Sequence, residues 1–512
     1  MLLQNRIIKC ILTFALLFTV IHLSSQSFDY FNKRLDLSET GQGDRMISII
    51  SDTGGFLIIG YTYNDFTSKI LLAKISEIGL TEWVKTIGNS NSDEFPGFPG
   101  CLIRYNDSLI YSAGPTRFWE NDTSWVGGRV ICYNNAMDTL WTRLLIDQGI
   151  HDTSYYIYNF NKTISGDFVY TGVEYTDPFP SHVLLYKSDK SGNIIWRKSF
   201  GYTGNDYYSG YSVIQTTDGG YAIGGHKYAP GEFGDPLVIK TDSLGNQEWM
   251  LNFGGQYQDN KAMVCPAHDG AIICGTALAT SMVNPDLAKG RINIIKIDNT
   301  GNVLWNRLYG ADRMDNFLLN IRPTPDGGYI ASGQAISTVP YWVGWLFKID
   351  ENGDSLWYRE YAFLNQEDVL QQLDDVIPTS DNGFFACGNI LELFSNQEMD
   401  TWVLKLDSLG CEAPGECWVG INETAQPEPL TVAGGELSIR PNPATTETHI
   451  TWQGEAKLLE VFNASGVRVW QCKLPPEQTQ YRLNTQAWPH GLYLLRLFMQ
   501  DGQAITTKMM KL

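Results

Sequence analysis

Histidine is scarce in this 512-residue chain. There are seven copies, and those beyond residue 30 stand at 151, 182, 226, 268, 449 and 490. No two have the spacing of a zinc-binding helix, and neither a G-x-S-x-G elbow nor a phosphate-binding glycine loop occurs, so the commonest single-motif enzymes are excluded. A site assembled from several distant strands would leave no such motif. Charge is sparse as well, at 18% of residues, and basic groups are the scarcer kind: 37 Lys and Arg against 56 Asp and Glu, a net charge of −19. Such a surface repels nucleic acid and anionic membranes. Long apolar runs are missing except for residues 11–20, which are shorter than the roughly 20 residues of a spanning helix. Arg6 and Lys9 precede that run and Ser24-Ser25-Gln26 follow it. This is the order of a signal peptide over 1–26, and it predicts an exported chain with no membrane span once the peptide is removed.

What is abundant is glycine, 49 residues, and aromatic side chains, 12%. Both suit short strands joined by tight turns. Trp recurs at 83, 141, 196, 249, 305 and 357, spaced by 58, 55, 53, 56 and 52 residues. Nine residues before each stands Lys74, Cys132, Lys187, Lys240, Lys296 or Lys348, at the end of an apolar run. A turn such as Asp242-Ser-Leu-Gly245 lies between. Further on come an Asp, an apolar stretch, a second turn such as Asp218-Gly-Gly-Tyr221 or Asp326-Gly-Gly-Tyr329, and another apolar run ending in Gly. Each period therefore holds four strands. One four-stranded meander cannot bury both faces, and stacking several around an axis can, which predicts a β-propeller over 27–418. A Trp on the outermost strand would fill the wedge between neighbouring sheets, contributing at most about 4–6 kcal/mol.

The seventh third strand, 401–406, lacks its Trp; position 414 is Pro. Upstream of the first period, Phe31-Asn-Lys33 matches Trp305-Asn-Arg307 and Trp83-Val-Lys85. The expectation is an all-β, seven-bladed propeller of four-stranded blades whose N-terminal strand closes the last blade, with Phe31 at the Trp position. The competing arrangement threads Cys417-Trp418-Val there instead. The Asp-Gly-Gly-Tyr hairpins, the K-x-D-x-x-G turns and the periodic Trp residues over about 28–410 resemble repeat propellers of secreted Bacteroidetes proteins.

The periodicity stops after Cys417. Residues 419–435 read as a linker rich in Pro, Glu, Thr and Gly. Within 436–512 appear Leu437-Ser-Ile-Arg-Pro-Asn-Pro443, Lys457-Leu-Leu-Glu-Val-Phe-Asn-Ala-Ser-Gly466, Trp488-Pro-His-Gly-Leu-Tyr-Leu-Leu-Arg-Leu497 and Thr507-Lys-Met-Met-Lys-Leu512. Alternating strands and Gly turns over this length predict a small Ig-like β-sandwich. The motifs, in this order, resemble the type A C-terminal sorting domain of type IX secretion cargo. The resemblance implies the type IX secretion machinery as a partner through 436–512, and release from the cell or attachment to its outer-membrane surface.

Candidate site residues follow from the repeat. Asp44, Asp93, Asp152, Asp206, Asp259, Asp315 and Asp368 each fall between an outer strand and the next inner strand. The favoured reading is that each fixes that turn by accepting backbone N–H bonds. A ring of carboxylates holding Ca²⁺ is the other, and no further cofactor is implied. Trp119, Trp125, Tyr341 and Trp342 fall in long, uneven connections between second and third strands, where aromatic rings either grip a glycan or protein partner or pack on their own blade. Cys411 and Cys417 flank Glu-Ala-Pro-Gly-Glu and are expected to form a disulfide, contributing about 2 kcal/mol. Cys265 and Cys274 flank an Asp269-Gly270 turn, either as buried thiols or as a pair across the hairpin. The functional expectation is a secreted or cell-surface binding or adhesion protein with an unidentified glycan or protein ligand. A carbohydrate-active enzyme with its site at the channel mouth and a structural surface-coat component are the alternatives.

Overall fold

The computed structural model describes residues 30–511 apart from 39–42, 64–66, 89–91, 121–122, 146–152, 177–180, 202–205, 230–233, 285–286, 337–341, 365, 367, 394–398, 413–437, 441–443, 453, 464–467, 490 and 501–503. The expected signal peptide, the linker and Cys417 with Trp418 lie outside the described residues. Every regular element among the described residues is a β-strand, and none of them forms a helix long and apolar enough to cross a membrane. The chain divides into two compact units, Met1–Ile421 and Asn422–Leu512.

The first unit is built from antiparallel meanders. Gly43–Asp52, Gly55–Tyr63, Ser68–Ser76 and Thr81–Ile87 pair in chain order, as do Thr153–Lys162 through Ile194–Phe200 and Tyr207–Gln215 through Gln247–Asn252. In the sheet of 92–145 the inner place is shared by two short strands, Ser92–Glu94 and Leu102–Arg104. Pro96 and Pro99 fall between them, where they cost no ladder hydrogen bond. From 263 to 361 two meanders run together, because Val303–Pro323 is continuous. Its first half pairs with Leu287–Ile297 and its second half with Tyr329–Ile336. The last sheet holds Val369–Pro378, Phe384–Glu392 and Met399–Leu406, and its fourth place is taken by Phe31–Leu35. These are four-stranded antiparallel sheets of the kind that make propeller blades.

The spacing of nine residues has a direct structural meaning. Lys74 faces Trp83 across its ladder, and so do Cys132 and Trp141, Lys187 and Trp196, Lys240 and Trp249, Lys296 and Trp305, and Lys348 and Trp357. Phe31 faces Lys405 in the same way. The lysines are clipped to the turn between first and second strands: Lys240 reaches Asp218 at 2.8 Å, Lys296 reaches Asp269 at 2.7 Å, Lys348 reaches Asp326 at 2.9 Å, and Lys405 pairs with Asp381. The aromatic partner lies against the Gly turn of the following sheet. A Cβ at Gly245 would stand 2.8 Å from the Trp196 ring, and one at Gly79 2.8 Å from Phe31. Both glycines also have positive φ, 78° and 75°. These rim tryptophans are only half-buried, so they close the outer wedge in part. The fully buried indoles are Trp345 and Trp402, which stand outside the period.

Inner strands have no sheet neighbour on their free edge, and polar side chains supply one. The Ile49 amide donates to Asp375 (3.0 Å), the Gly100 amide to Ser48 Oγ (2.9 Å), the Val213 amide to Asn159 Oδ1 (3.2 Å) and the Val264 amide to Ser212 Oγ (2.8 Å). Asp375 is fully buried and also accepts from Asn320 and, through two nitrogens, from Arg322. The first and last sheets are further tied by Asp44, which accepts from the Thr401 amide (3.2 Å) and hydroxyl (2.6 Å).

Cys265 and Cys274 are both buried thiols. Cys265 faces Ile273 and Cys274 faces Val264. The two side chains therefore point to opposite faces of the sheet, into different core clusters, and cannot bond. Cys411 is 3% exposed, and its expected partner lies outside the described residues.

The second unit has two antiparallel sheets. One comprises Ser438–Arg440, Glu447–Thr451 and Gln480–Asn484, and the other Arg468–Lys473, Ala456–Asn463, Gly491–Met499 and Ala504–Lys511. Ile450 and Leu483 of the first pack with Leu459, Val461, Leu495, Leu497 and Met509 of the second in one core.

Asp375→Ala removes the acceptor for two neighbouring strands, Gly43–Asp52 and Val303–Pro323, and leaves the Arg322 guanidinium without its carboxylate. It should destabilise the first unit by about 3–5 kcal/mol in urea unfolding; a midpoint equal to wild type would refute the role given to this carboxylate. Burial raises Asp44 to about 7, with Asp400 and Asp36 adding to the shift and the hydrogen bonds from Thr401 and Ser38 opposing it. The folded chain thus keeps a proton that the unfolded chain releases near pH 4. That contribution is fully present below about pH 4 and is lost as pH rises through about 7. Asp44→Asn should shrink the fall in thermal midpoint between pH 5 and pH 7.5, and an undiminished fall would argue against it.

Candidate functional site

On several inner strands the ladder slips by one residue, between Ile157 and Asn159, Gly210 and Ser212, Leu318 and Asn320, and Leu373 and Asp375. The residues left over are Tyr158, Tyr211, Leu319 and Asp374. A bulge takes its side chain out of the in-and-out alternation and re-aims it. Tyr158 and Tyr211 stack with ring centroids 5.4 Å apart, and Phe98 meets both edge-on at 5.0 and 5.1 Å. The Lys261 ammonium lies 4.0 Å from the Phe98 centroid and 4.9 Å from that of Tyr211. Asp374 accepts from Arg45 at 3.1 Å and from Gln372 and Asn389.

A cavity of about 420 Å³ opens here, with Tyr211, His226, Asn260, Lys261, Asn316 and Phe317 on its wall. It falls in the range of small-molecule sites, roughly 300–1,000 Å³. Burial lowers the Lys261 ammonium to about 8, Arg45 lowers it further, and Asp374 opposes. Burial also pushes His226 below its usual value. A second cavity, of about 320 Å³, is lined by inner-strand residues of six successive meanders, among them Ile50, Asn159, Ser212, Asn320 and Arg322. Its polar groups are largely spent on one another, as Ser212 with Val264 and Arg322 with Asp375 show.

Among the periodic acids whose side chains are described, Asp44, Asp93, Asp206 and Asp259 each have partners of their own. Asp93 accepts from the Ser68 amide (3.1 Å), Asp259 from the Gly255 and Ala279 amides (2.6 Å each), and Asp206 pairs with Lys227 at 3.1 Å. Asp368 is exposed. Asp152 and the side chain of Asp315 lie outside the described residues. Among the described residues, the one trio of acids close enough to share a cation is Asp36, Asp44 and Asp400, and only Asp44 of these is periodic.

Of the loop aromatics, Trp125 and Trp342 are described with their side chains, and neither lines the cavity. Trp125 belongs to Thr123–Tyr133 and stacks on Phe118 at 4.3 Å. Its connection is a long regular hairpin, Ile110–Glu120 with Thr123–Tyr133, rather than a loop. Trp119 sits on the first of these strands, with its side chain outside the described set; Tyr341 lies outside it altogether. Trp342 opens the strand Trp342–Ile349 half-buried, and its carbonyl accepts from Gln371. Lys261, Tyr211, Tyr158, Phe98 and Arg45 carry no mark in the sequence. The bulges that gather three of the four aromatic and acidic groups are invisible to a period-two pattern.

A family model of the secretion system C-terminal sorting domain matches residues 438–511. No curated protein matches the chain in sequence. Among solved structures, a protein of unknown function from Dyadobacter fermentans DSM 18053 is 11% identical, with TM-score 0.41, covering 74% of this chain and 99% of its own. The polysaccharide lyase Uly1 is 9% identical, with TM-score 0.43, over 76% of this chain and 94% of its own. Sqt1 from Chaetomium thermophilum is 10% identical, with TM-score 0.39, over 73% and 100%. The C-terminal unit is thus a sorting domain, which engages the type IX secretion machinery and marks the chain as a protein exported to the cell surface or the extracellular space.

Proposed function

We propose that the exported chain is a binding protein, acting in solution or on the cell surface, whose ligand enters the cavity at Lys261 and Tyr211. In this reading the first unit is a closed seven-bladed propeller and the sorting domain is an Ig-like sandwich that serves export alone. Three observations support the ring: Val303–Pro323 serves two meanders, Phe31–Leu35 completes the last sheet, and Phe31 packs on Gly79 of the first. The observation that carries the functional reading is the cavity itself, an opening of about 420 Å³ with aromatic rings and polar donors on a rigid β wall. A glycosidase of the two-carboxylate kind would need a pair of acids free to act. Asp259, the acid on this wall, already accepts two backbone N–H bonds.

The test is a glycan and protein array probed with the full chain lacking 1–26, followed by titration of any hit. Tyr211→Ala should weaken a cavity ligand at least about tenfold, whereas Trp125→Ala, away from the cavity wall, should leave it unchanged. Binding that survives Tyr211→Ala and is lost with Trp125→Ala would move the site to the 110–133 hairpin and overturn this reading.

A further inference from the structure

We infer that the ligand of this cavity is an anionic saccharide, its negative group received by Lys261; the inference rests on the binding reading above. It starts from a contrast among the lysines. Lys74, Lys187, Lys240, Lys296, Lys348 and Lys405 each have a carboxylate partner, the turn acid of their own sheet, at 3.3 Å or less. Lys261 has neither an ion-pair partner nor a hydrogen-bond acceptor for Nζ among the described residues. Its close contacts are the faces of Phe98 and Tyr211, and the Asp374 carboxylate, engaged by Arg45, acts on it only from beyond ion-pair distance. In a chain with net charge −19, a half-buried ammonium with no carboxylate at ion-pair distance is the exception. Cation–π contact offsets part of its desolvation. A bound anion would offset the rest, in a setting where such a hydrogen bond is strong.

The remaining wall groups point the same way. The Gln258 carbonyl oxygen accepts from the Gly234 amide and the Asn260 carbonyl oxygen from the Lys261 amide. The amide nitrogens of Gln258 and Asn260 have no acceptor among the described residues. Asp259, the wall's carboxylate, has each of its oxygens engaged by one backbone amide, Oδ2 by Gly255 and Oδ1 by Ala279. The cavity therefore presents donors, Lys261 Nζ with two carboxamide NH₂ groups, beside the apolar surface of Tyr211 and Phe317. A ligand matching it has many acceptor oxygens, one negative charge and a C–H face, within a volume that holds one or two sugar rings. A carboxylate and a sulfate ester meet this description equally.

The experiment is calorimetric titration of the full chain lacking 1–26 with three probes: a uronate oligosaccharide, its methyl ester, and a sulfated galactose oligosaccharide. The expected result is that at least one charged probe binds about tenfold or more tighter than the ester, and that affinity for it falls as salt rises. Lys261→Met keeps the stem against Phe98 and Tyr211 but removes the charge. It should cost the charged probe about tenfold or more and leave the ester unaffected, and Lys261→Arg should restore binding. Unfolding midpoints of both variants confirm that they are folded. The two charged probes distinguish carboxylate from sulfate. Equal binding of charged and ester probes, or full binding to Lys261→Met, overturns the charge inference while leaving the cavity reading in place if Tyr211→Ala still abolishes binding. Absence of any saccharide binding, with only protein hits on the array, overturns this inference and leaves the binding reading to the Tyr211 test.

Discussion

The free edge of each inner strand is the constraint on which the first unit rests. A sheet interior satisfies its backbone groups by pairing, but strands that meet around a common axis cannot pair with one another. Here the missing acceptors come from short polar side chains, Ser48, Asn159, Ser212 and Asp375, each reaching a backbone amide of another meander, on a strand or, for Ser48, at Gly100 just before one. All four follow a slip in their own ladder, so the irregularity that leaves one residue over also places the next one to bridge. The same geometry makes the core and prepares the site. Asp374 and Asp375 show the division of labour, the first facing Arg45 and the second binding Arg322 and the Ile49 amide.

Away from the axis, each repeat is held by two local devices. A lysine on the third strand is clipped to the turn acid of its own sheet, and its ladder partner, an aromatic ring, rests on the Gly turn of the next. Where the repeat departs from this pattern the structure compensates. Cys132 replaces the lysine, and Met137 replaces the turn Gly at a φ of 57°. In the same sheet the inner strand is split into two short pieces. The departures are concentrated in one sheet, so its neighbours keep the regular contacts.

Much of this was legible in the chain because the devices are periodic. The Trp-to-Lys interval is a ladder register, and the likeness of Phe31-Asn-Lys33 to Trp305-Asn-Arg307 was enough to place the first strand in the last sheet. The sorting domain was legible through ordered motifs. What the sequence concealed is equally specific. Trp125 and Trp342, which the sequence leaves open between gripping a partner and packing on their own blade, lie in a regular hairpin and at a strand start. Among the periodic acids, Asp93 and Asp259 accept backbone N–H bonds and Asp44 joins the first sheet to the last, partners that the repeat by itself does not name. Lys261 is one lysine among many until the fold shows that it alone, of those described above, lacks an acid.

The closing strand also sets a timetable. Asn32 accepts from the Trp402 indole, and 370 residues separate the two. Synthesis delivers Phe31–Leu35 first and Met399–Leu406 almost last, so the early strand waits unpaired while the intervening sheets form. A contact of such long range is slow to make and arrives after local meanders have organised. The last sheet of the propeller-like unit therefore gains its fourth strand only when the chain of that unit is nearly complete, and until then Phe31–Leu35 and Met399–Leu406 each lack the partner they pair with in the folded state.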